Sequence, residues 1–506
     1  MKNLLSLCLL VLTCWSCTNE PPLSNTTPDQ IITGELGHRL DSLLSPYIDS
    51  LRIRTDNQAG IVVGITKSDE LIYVKPFGYA NIETREKVNL NTIFHIASVS
   101  KPFTAVAIAK LIQQGKLQLE DRLIDHLPEF KMQGLGYENI TIQHILTHTS
   151  GIPRHLSSGE WEHPIIGPEA MDYNLQKAKE AELDFEPGSE YSYSNSAFDI
   201  LGSLIERVTG MRFHEYMQSN VLQAAGMDHT FYVKPVDRLP AGWAVPYSFG
   251  VETSEWSPYP YTENYFPSSG VQTSILDMCR WGLLHLNQGN FEAFSLLDST
   301  HFELFLQPRQ ATPWGDQIAL SWYLQSYLDR PNMMHLGNDT GFEAFTCIYP
   351  EDDISITIMA NRDFARVGRL VNAASEILFG VAAKSYEVSA KYPFSQAFRE
   401  QGIESAKAKW EALASDTTDL YFSQITDIRT CGAVLEWNKD YSQAKPILEY
   451  YLTKEDQSTY AWRILGNCHL NLSDTTAAVQ AYKQALKINP TYEKAKRALE
   501  QLGSSL

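Results

Sequence analysis

The sequence is short of positive charge. Its 41 Lys and Arg residues stand against 60 Asp and Glu residues, which leaves a formal net charge of −19 over 506 residues. A protein that binds nucleic acid needs a basic face to neutralise phosphate groups, so this balance argues against a nucleic-acid partner. The excess of acid favours solubility through self-repulsion instead.

Cysteine is scarce as well. Beyond the N-terminal segment only four cysteines remain, and they are far apart in the sequence: Cys279, Cys347, Cys431 and Cys468. Neither a disulfide framework nor a zinc site has such spacing. We therefore expect small buried residues here, and the sequence predicts no metal site and no cofactor.

The apolar run at the N-terminus is too short to span a membrane. Residues Leu4–Thr13 follow a positively charged start at Lys2, an arrangement typical of an export signal. The segment resembles a bacterial lipoprotein signal, which implies cleavage before Cys17 and lipidation of that residue. We expect residues 1–17 to be this signal, the chain to be exported to the cell envelope, and a lipid anchor to be its only membrane association.

The rest of the chain is long enough for more than one domain. We expect a tether over residues 18–37, a mixed α+β domain over 38–385 and an all-helical domain over 391–506. Strand-like segments lie near both ends of the mixed domain, at 59–66, 71–78, 346–350 and 354–361. This arrangement predicts one sheet that joins the two ends of the domain, with helices between them.

The helical domain has the spacing of a tetratricopeptide repeat over residues 459–492. The residues that fit the pattern are Trp462, Leu465, Gly466, His469, Ala478, Tyr482, Ala485 and Pro490. Gly432, Ala444 and Leu448 repeat part of it one 34-residue period earlier, and residues 493–502 resemble a capping helix. Two interpretations stay open: the helices form a groove for a protein or peptide partner, or they only pack on the preceding domain.

The stretch 94–111, FHIASVSKPFTAVAIAKL, places a lysine at the start of an apolar helix. Ser98 and Lys101 are three residues apart, so on a helix they share one face, whereas Ser100 points elsewhere. A lysine in an apolar setting has a lowered pKa and can take a proton from a hydroxyl group. The spacing therefore predicts Ser98 as a nucleophile and Lys101 as its base. A serine that caps a helix and a lysine exposed to solvent can have the same spacing. The surrounding sequence must therefore distinguish a catalytic pair from this structural arrangement.

A second candidate segment is FEPGSEYSYSNS, residues 185–196. A Pro-Gly turn leads into Tyr193 and Asn195, and an apolar helix follows over 197–208. Tyr193 offers a phenol, and Asn195 offers an amide that can bind a carbonyl group. Taken alone, this pattern is explained by a helix N-cap with a tyrosine packed on the core.

Together, Ser98-Val-Ser-Lys101, Tyr193-Ser-Asn195 and His335-Leu-Gly337 resemble, in order, the three motifs of the serine β-lactamase and penicillin-binding-protein superfamily. The similarity is to its class C-like branch, which includes D-alanyl-D-alanine carboxypeptidases, D-aminopeptidases and esterases. Further segments resemble that branch, at 144–153, 269–277 and 335–342. The resemblance implies a transpeptidase-like α/β sandwich with a helical subdomain that carries the tyrosine motif. It also implies a serine hydrolase that forms an acyl-enzyme on esters or amide bonds, with a true β-lactamase or D-Ala-D-Ala carboxypeptidase as the alternative.

The same resemblance implies a role for each residue. Lys101 would deprotonate Ser98, and Tyr193 would relay the proton to the leaving group and activate the deacylating water. Asn195 would orient the acyl chain. The backbone N–H groups of Ser98 and Asn338 would form the oxyanion hole.

The sequence departs from the family pattern at His335, where β-lactamases and penicillin-binding proteins carry the lysine of Lys-Thr-Gly. His335 and Gly337 would border the substrate. A lysine is a permanent cation that attracts the carboxylate of β-lactams and D-Ala-D-Ala termini, whereas a histidine with a pKa of about 6.5 is mostly neutral at pH 7. We therefore expect cleavage of small activated esters, or of amides without a free carboxylate, and poor cleavage of penicillins and cephalosporins.

Two alternatives belong to other functional classes. His144 and His148 are four residues apart, a spacing that suits a metal on a helix, but no HExxH motif is present and only His155 offers a third ligand. An inactive hydrolase domain that serves with the repeats as a scaffold for partners is the second alternative, and three intact motifs argue against it. No Gly-x-Ser-x-Gly occurs, which excludes an α/β-hydrolase elbow.

Overall fold

The fold is that of a computed structural model of the chain. It describes residues 29–156, 164–232, 239–255, 262–415 and 420–503. The predicted signal at 1–17, with Cys17, lies outside these residues, as does most of the predicted tether. Within the described part of the chain, no helix is both long enough and apolar enough to cross a membrane.

One nine-stranded antiparallel sheet forms the centre of the mixed domain. In chain order its strands are β1 Ile31–Ile32, β2 Ile61–Lys67, β3 Glu70–Phe77, β4 Gln310–Ala311, β5 Gln317–Ile318, β6 Tyr323–Tyr327, β7 Arg330–Asp339, β8 Phe342–Tyr349 and β9 Ile354–Ala360. Their order across the sheet is β1-β3-β2-β9-β8-β7-β6-β5-β4. Strand β2 pairs with β9, with Ile61 opposite Ala360. The prediction of a sheet that joins both ends of the domain is therefore confirmed.

The central strands are apolar on both faces because helices cover both sides of the sheet. Along β2, Val62 points into one hydrophobic core, while Ile61 and Val63 point into the other. The longer helices of the mixed domain are α1 Gly34–Arg54, α2 Lys101–Gln113, α3 Asn195–Thr209, α4 Ile275–Leu286 and α5 Val367–Leu378. Helices α1 and α5 cover one face, and α2, α3 and α4 contribute to the core on the other.

Shorter elements complete the mixed domain. The short helices are Leu123–His126, Ile142–Leu146, Ala170–Ala178, Phe213–Met217, Phe266–Ser269 and Ser299–Leu306. A separate three-stranded sheet is formed by Phe94–His95, Val271–Thr273 and Thr230–Tyr232, with Val271–Thr273 in the middle. This small sheet leads the chain directly into the segment around Ser98.

The predicted tether ends earlier than residue 37. Strand β1 pairs with β3 at the edge of the main sheet, and α1 begins at Gly34. Leu40, Leu44 and Ile48 lie on one side of α1, and all three are fully buried against the sheet. Apolar side chains at this helical spacing gain stability only when they are covered, so this part of the chain belongs to the domain.

The C-terminal part contains seven helices within the described residues: α6 Lys391–Gln401, α7 Ile403–Ala414, α8 Ile425–Trp437, α9 Tyr441–Lys454, α10 Thr459–Asn471, α11 Thr475–Ile488 and α12 Glu493–Gln501. Helices α10 and α11 form the predicted repeat, and α8 and α9 form the earlier copy. A Cβ atom on Gly466 would lie 2.5 Å from Tyr482, and one on Gly432 would lie 2.7 Å from Leu448. Both copies thus use a glycine at the same place to bring their two helices together.

The repeat domain packs on the mixed domain. The ring of Phe249 contacts that of Tyr392 in α6, with 4.7 Å between centroids, and Val251 lies within the hydrophobic core of the repeat domain. Asn438 also donates a hydrogen bond to Ser254 at 2.8 Å. The helices therefore do pack on the mixed domain, as one of the two open interpretations expected, and their free surface borders a cavity described below.

Candidate active site

Ser98 lies in a tight 3₁₀ turn, Ala97–Ser100, that comes directly before α2. The sequence predicted that Ser98 and Lys101 share one α-helix, but only Lys101 belongs to α2, as its first residue. Ala97 has φ of +48°, a left-handed conformation that is unfavourable for a residue with a Cβ atom. The backbone N–H of Val271 donates to the Ser100 hydroxyl at 3.0 Å, so Ser100 holds the turn in place while Ser98 stays partly exposed.

Lys101 is fully buried beneath this turn. Its Nζ lies 3.1 Å from Ser98 Oγ and 2.9 Å from the carbonyl oxygen of Ser268. Burial lowers the pKa of Lys101 well below the ordinary 10.5, because an ammonium group loses its hydration there. An amine that is neutral near neutral pH and within hydrogen-bond distance of a hydroxyl group can accept its proton.

Tyr193 lines the same cavity as Ser98. Burial raises the pKa of the Tyr193 phenol, so the group keeps its proton at neutral pH. Nζ of Lys101 lies 4.8 Å from the centroid of the tyrosine ring. Ser98, Lys101 and Tyr193, which are far apart in the sequence, are therefore in one polar cluster.

The tyrosine motif is held in place by the start of α3. Ser194 caps the helix by accepting a hydrogen bond from the N–H of Ala197 at 3.0 Å. Asn195 is the first residue of α3, and its Oδ1 is buried and accepts no hydrogen bond within the described part of the chain. The amide of Asn195 is thus available to a bound molecule.

Strand β7 brings the third motif to the same place. A Cβ atom on Gly337 would lie 3.2 Å from the backbone nitrogen of Ser98, so only glycine lets β7 approach the turn this closely. The next residue, Asn338, is exposed on β7. The backbone segments that were predicted to form an oxyanion hole are therefore neighbours.

His335 is buried on β7. Its Nδ1 lies 2.9 Å from the carbonyl oxygen of Leu336, and its Nε2 has no hydrogen-bond partner within the described residues. Burial, with the charge of Lys101 as the second cause, lowers the pKa of His335 to about 3. The imidazole is therefore neutral at pH 7, as the sequence interpretation assumed.

The histidines weighed as metal ligands are engaged by the fold. The backbone N–H of Ser194 donates to Nδ1 of His148 at 3.2 Å, and the N–H of Thr141 donates to Nδ1 of His144 at 3.3 Å. The His148 ring also contacts the Tyr193 ring, with 4.3 Å between centroids. His148 thus positions the tyrosine motif, a role that its sequence spacing did not indicate.

Two cavities, of about 380 Å³ and 390 Å³, meet at Ser98. We call them the first and the second lobe. Ser98, Arg154 and Asn338 line both lobes, Asn195 lines the first and Tyr193 lines the second. A substrate whose reacting carbonyl lies at Ser98 therefore has room on both sides of the bond that is cleaved.

Comparison with known proteins identifies the family. The family model described as Beta-lactamase matches residues 44–378 of the chain. The chain belongs to the β-lactamase family. The Tetratricopeptide repeat model matches residues 459–492, the same residues that the sequence pattern predicted. The predicted architecture, a β-lactamase-related serine hydrolase domain with C-terminal repeats, is confirmed.

Two curated relatives show how far this similarity extends. The β-lactamase-family domain is similar to Protein flp of Staphylococcus aureus, with 30% identity over 339 residues that cover 66% of each chain. It is also similar to Penicillin-binding protein 4* of Bacillus subtilis, with 26% identity over 329 residues that cover 62% of this chain and 70% of that one. The chain thus spans about two thirds of the length of the relatives it matches.

Two solved structures have the same fold. The octameric penicillin-binding protein homologue from Pyrococcus abyssi has a TM-score of 0.60 and 24% identity, over 70% of this chain and 80% of that chain. The penicillin-binding protein from Bacillus halodurans has a TM-score of 0.55 and 24% identity, over 66% and 98%. At this identity the likeness concerns the fold alone.

Two charged residues of this β-lactamase-family site were not identified from the sequence. Asp199 is fully buried one turn after Asn195, accepts a hydrogen bond from the N–H of Ser268 at 3.2 Å, and raises the pKa of Lys101 against the effect of burial. Burial in turn raises the pKa of Asp199 itself. The sequence did contain an indication of this role, because Asp199 interrupts the apolar start of α3. A carboxylate is rarely buried unless a partner group lies beside it.

Arg154 is the second missed residue. Its guanidinium Cζ lies 4.9 Å from the centroid of the Tyr193 ring, and its charge opposes protonation of Lys101. It directly follows the segment 144–153 that resembles the family, but the segment alone does not indicate which way its side chain points. Arg154 gives both lobes a permanent positive charge that the sequence interpretation of His335 did not include.

Proposed function

We propose that the protein is an exported serine hydrolase that forms an acyl-enzyme on Ser98 and cleaves esters or amide bonds. The observation that carries the proposal is the distance of 3.1 Å between Ser98 Oγ and the fully buried Nζ of Lys101. Burial of a lysine lowers the stability of the fold, because the charged amine loses its hydration. A lysine in this position next to a serine hydroxyl can act as the base that activates the serine.

The reaction follows from the positions of the polar groups. Neutral Lys101 takes the proton of Ser98 while Oγ attacks the substrate carbonyl carbon, and the backbone N–H groups of Ser98 and Asn338 stabilise the oxygen that becomes negative. The bond to the leaving group then breaks, and the leaving group receives the proton through Tyr193. Water then attacks the acyl carbon, the bond between this carbon and Ser98 Oγ breaks, and the carboxylic acid leaves. The proton of the water passes through the same relay to Oγ and restores the Ser98 hydroxyl group.

Substrate preference depends on charge next to Ser98. Neutral His335 offers no attraction to a carboxylate at the position of the lysine in the typical Lys-Thr-Gly motif, which favours activated esters or amides without a free carboxylate there. A true β-lactamase or D-Ala-D-Ala carboxypeptidase is the second candidate, and Arg154 is the observation that favours it, because its guanidinium lines both lobes. The first candidate is preferred because His335, which borders the substrate, has a lowered pKa and is neutral at pH 7.

The comparison of kcat/KM for a p-nitrophenyl ester and a chromogenic cephalosporin tests this preference. We expect the ester to react faster at neutral pH. A cephalosporin rate well above the ester rate, with that advantage lost in Arg154→Gln, supports the second candidate and contradicts the first.

We also propose that residues 1–17 direct export and that Cys17 carries the lipid that holds the chain at the cell envelope. The support is the sequence pattern alone. The test is cell fractionation of the unaltered protein and of Cys17→Ser. We expect the variant to leave the membrane fraction, and an unchanged membrane association contradicts the lipidation proposal.

A further inference from the structure

A third cavity, of about 890 Å³, lies between the repeats and the mixed domain. On one side it is lined by α8 and α10, the first helix of each repeat, and on the other by the end of β7 and the segment after β9. We call it the repeat cleft. It is larger than either lobe at Ser98, so it has room for a ligand of several residues.

The repeat cleft adjoins the active site. Asn338 and Asp339, at the end of β7, line both the repeat cleft and the first lobe, which also contains Ser98. A chain bound at Ser98 can therefore pass over Asn338 and enter the repeat cleft. A small ester fills only a lobe, whereas a longer substrate reaches both.

The repeat cleft carries unpaired positive charge. Its four cationic residues are Arg429, Lys439, Arg463 and Lys494. None of them forms an ion pair with a carboxylate within the described residues, whereas four other lysines of the repeat domain do. In a chain with a net charge of −19, such a group is a local feature that suits an anionic ligand.

The acidic residues of the cleft, in contrast, are already engaged. Asp363 accepts a hydrogen bond from Ser248 at 2.8 Å, and Glu436 accepts one from Asn467 at 2.6 Å. Asp339 accepts one from the backbone N–H of the next residue at 2.8 Å. These three carboxylates keep their charge but already accept hydrogen bonds from the protein, and the four cations of the lining outnumber them, so the cations are the groups that remain for contact with an anionic ligand.

Aromatic side chains accompany the cations. Tyr460 lies between two arginines, with its ring centroid 5.8 Å from Cζ of Arg429 and 5.1 Å from Cζ of Arg463. Tyr460 and Trp437 are large apolar surfaces that remain 42% and 37% exposed. Tyrosine, tryptophan and arginine are enriched where proteins bind one another, so this combination suits a peptide ligand.

We propose that the repeat cleft binds a carboxylate-bearing peptide segment of the substrate molecule whose scissile bond lies at Ser98. The proposal rests on the hydrolase function proposed above and extends it. The acidic part of the substrate is recognised at a distance from the reacting carbonyl, so the neutral surroundings of His335 and the cationic repeat cleft serve different parts of one molecule. The repeats are then a substrate subsite of the enzyme.

The test compares two p-nitrophenyl esters whose acyl chains end in tetraglutamate or tetraglutamine, each with glycine spacers of increasing length. The variant is Arg429→Gln/Arg463→Gln. The control is Lys483→Gln/Lys487→Gln, which removes the same charge from exposed positions of α11 outside the cleft. Hydrolysis of p-nitrophenyl acetate reports the basal activity of each protein.

We expect kcat/KM for the best glutamate ester to exceed that for its glutamine partner by about tenfold at low ionic strength, the size that two exposed ion pairs support. The cleft variant loses this preference, the control keeps it, and p-nitrophenyl acetate is hydrolysed equally by all three proteins. Equal rates for both esters with every spacer, or an unchanged preference in the cleft variant, overturn the proposal.

A failure of the hydrolase function is distinguishable from a failure of the cleft. If p-nitrophenyl acetate and both peptide esters are not hydrolysed, binding of fluorescein-labelled tetraglutamate amide to the full chain is measured by fluorescence anisotropy. Binding that weakens about tenfold in the cleft variant and not in the control supports the anionic subsite. Absence of binding by the unaltered protein overturns it.

Discussion

Gly337 lies so close to Ile96 that a Cβ atom on Gly337 would stand 2.1 Å from the Ile96 carbonyl oxygen. No flexible side chain can give way at this contact, because the obstacle is backbone. Strand β7 is thereby fixed against the turn that carries Ser98, and the third motif meets the first. The contact makes the position of the predicted oxyanion groups depend on a single glycine.

Replacing Gly337 with alanine should therefore damage both stability and catalysis. We expect overpacking to destabilise the fold by about 1–3 kcal/mol and kcat/KM for an ester to fall by at least about a hundredfold, the scale on which one oxyanion donor matters. Gly368→Ala on α5 is the control, because its Cβ would make an ordinary contact of 3.5 Å with Phe345. Full activity in the Gly337→Ala protein contradicts the assigned position of β7.

Lys101 is predicted to act as a base and not as a fixed charge. A guanidinium stays protonated and cannot accept the Ser98 proton, so Lys101→Arg should lower kcat by about 10²–10⁴. Lys110→Arg, in the last turn of the same helix, should keep normal rates. Steady-state kinetics on a p-nitrophenyl ester gives kcat for both variants. A normal kcat in Lys101→Arg would show that the residue contributes only a positive charge.

The pH dependence of kcat/KM reports the protonation of Lys101. The base must be neutral, so activity rises as pH increases through its pKa, and burial places this rise well below the ordinary lysine value of 10.5. Asp199 raises the pKa of Lys101, so Asp199→Asn should move the rise to lower pH. A shift to higher pH, or a rise at the ordinary lysine value, contradicts this electrostatic account.

Much of the site was predictable because its motifs are local. Ser98 and Lys101 are close in sequence, and the apolar residues after Lys101 predict its burial. The turn around Ala97 was not predictable, because its left-handed backbone is held by Val271 and Gly337, which are far away in the sequence.

The fold was predictable at its two ends but not in between. Strands β2 and β9 have long apolar runs, whereas β4 to β7 are partly polar and depend on pairing with one another. Arg154 was missed because the direction of its side chain is set by tertiary contacts with the tyrosine motif. The repeat cleft was missed for the same reason, since helical spacing does not indicate which domain surface the helices face.

Removal of the repeat domain should destabilise the hydrolase domain. A chain that ends at residue 390 exposes Phe249 and Val251, which are now buried by α6 and the repeat core. We expect a lower Tm and a tendency to aggregate, because an apolar patch is uncovered. Equal Tm values for the truncated and full chains would show that the repeats are an independent module.

The most direct test of the hydrolase account is mass spectrometry of the folded protein after reaction with a fluorophosphonate probe. We expect one adduct on Ser98, none in Ser98→Ala, and an adduct that forms more slowly but still on Ser98 in Ser100→Ala, because the Ser100 hydroxyl supports the turn through its hydrogen bond from Val271 and is not the nucleophile. Circular dichroism checks that each variant is folded. An unaltered, folded protein without an adduct on Ser98, or an adduct that persists in Ser98→Ala, contradicts the account and favours a scaffold without catalytic activity or a different nucleophile.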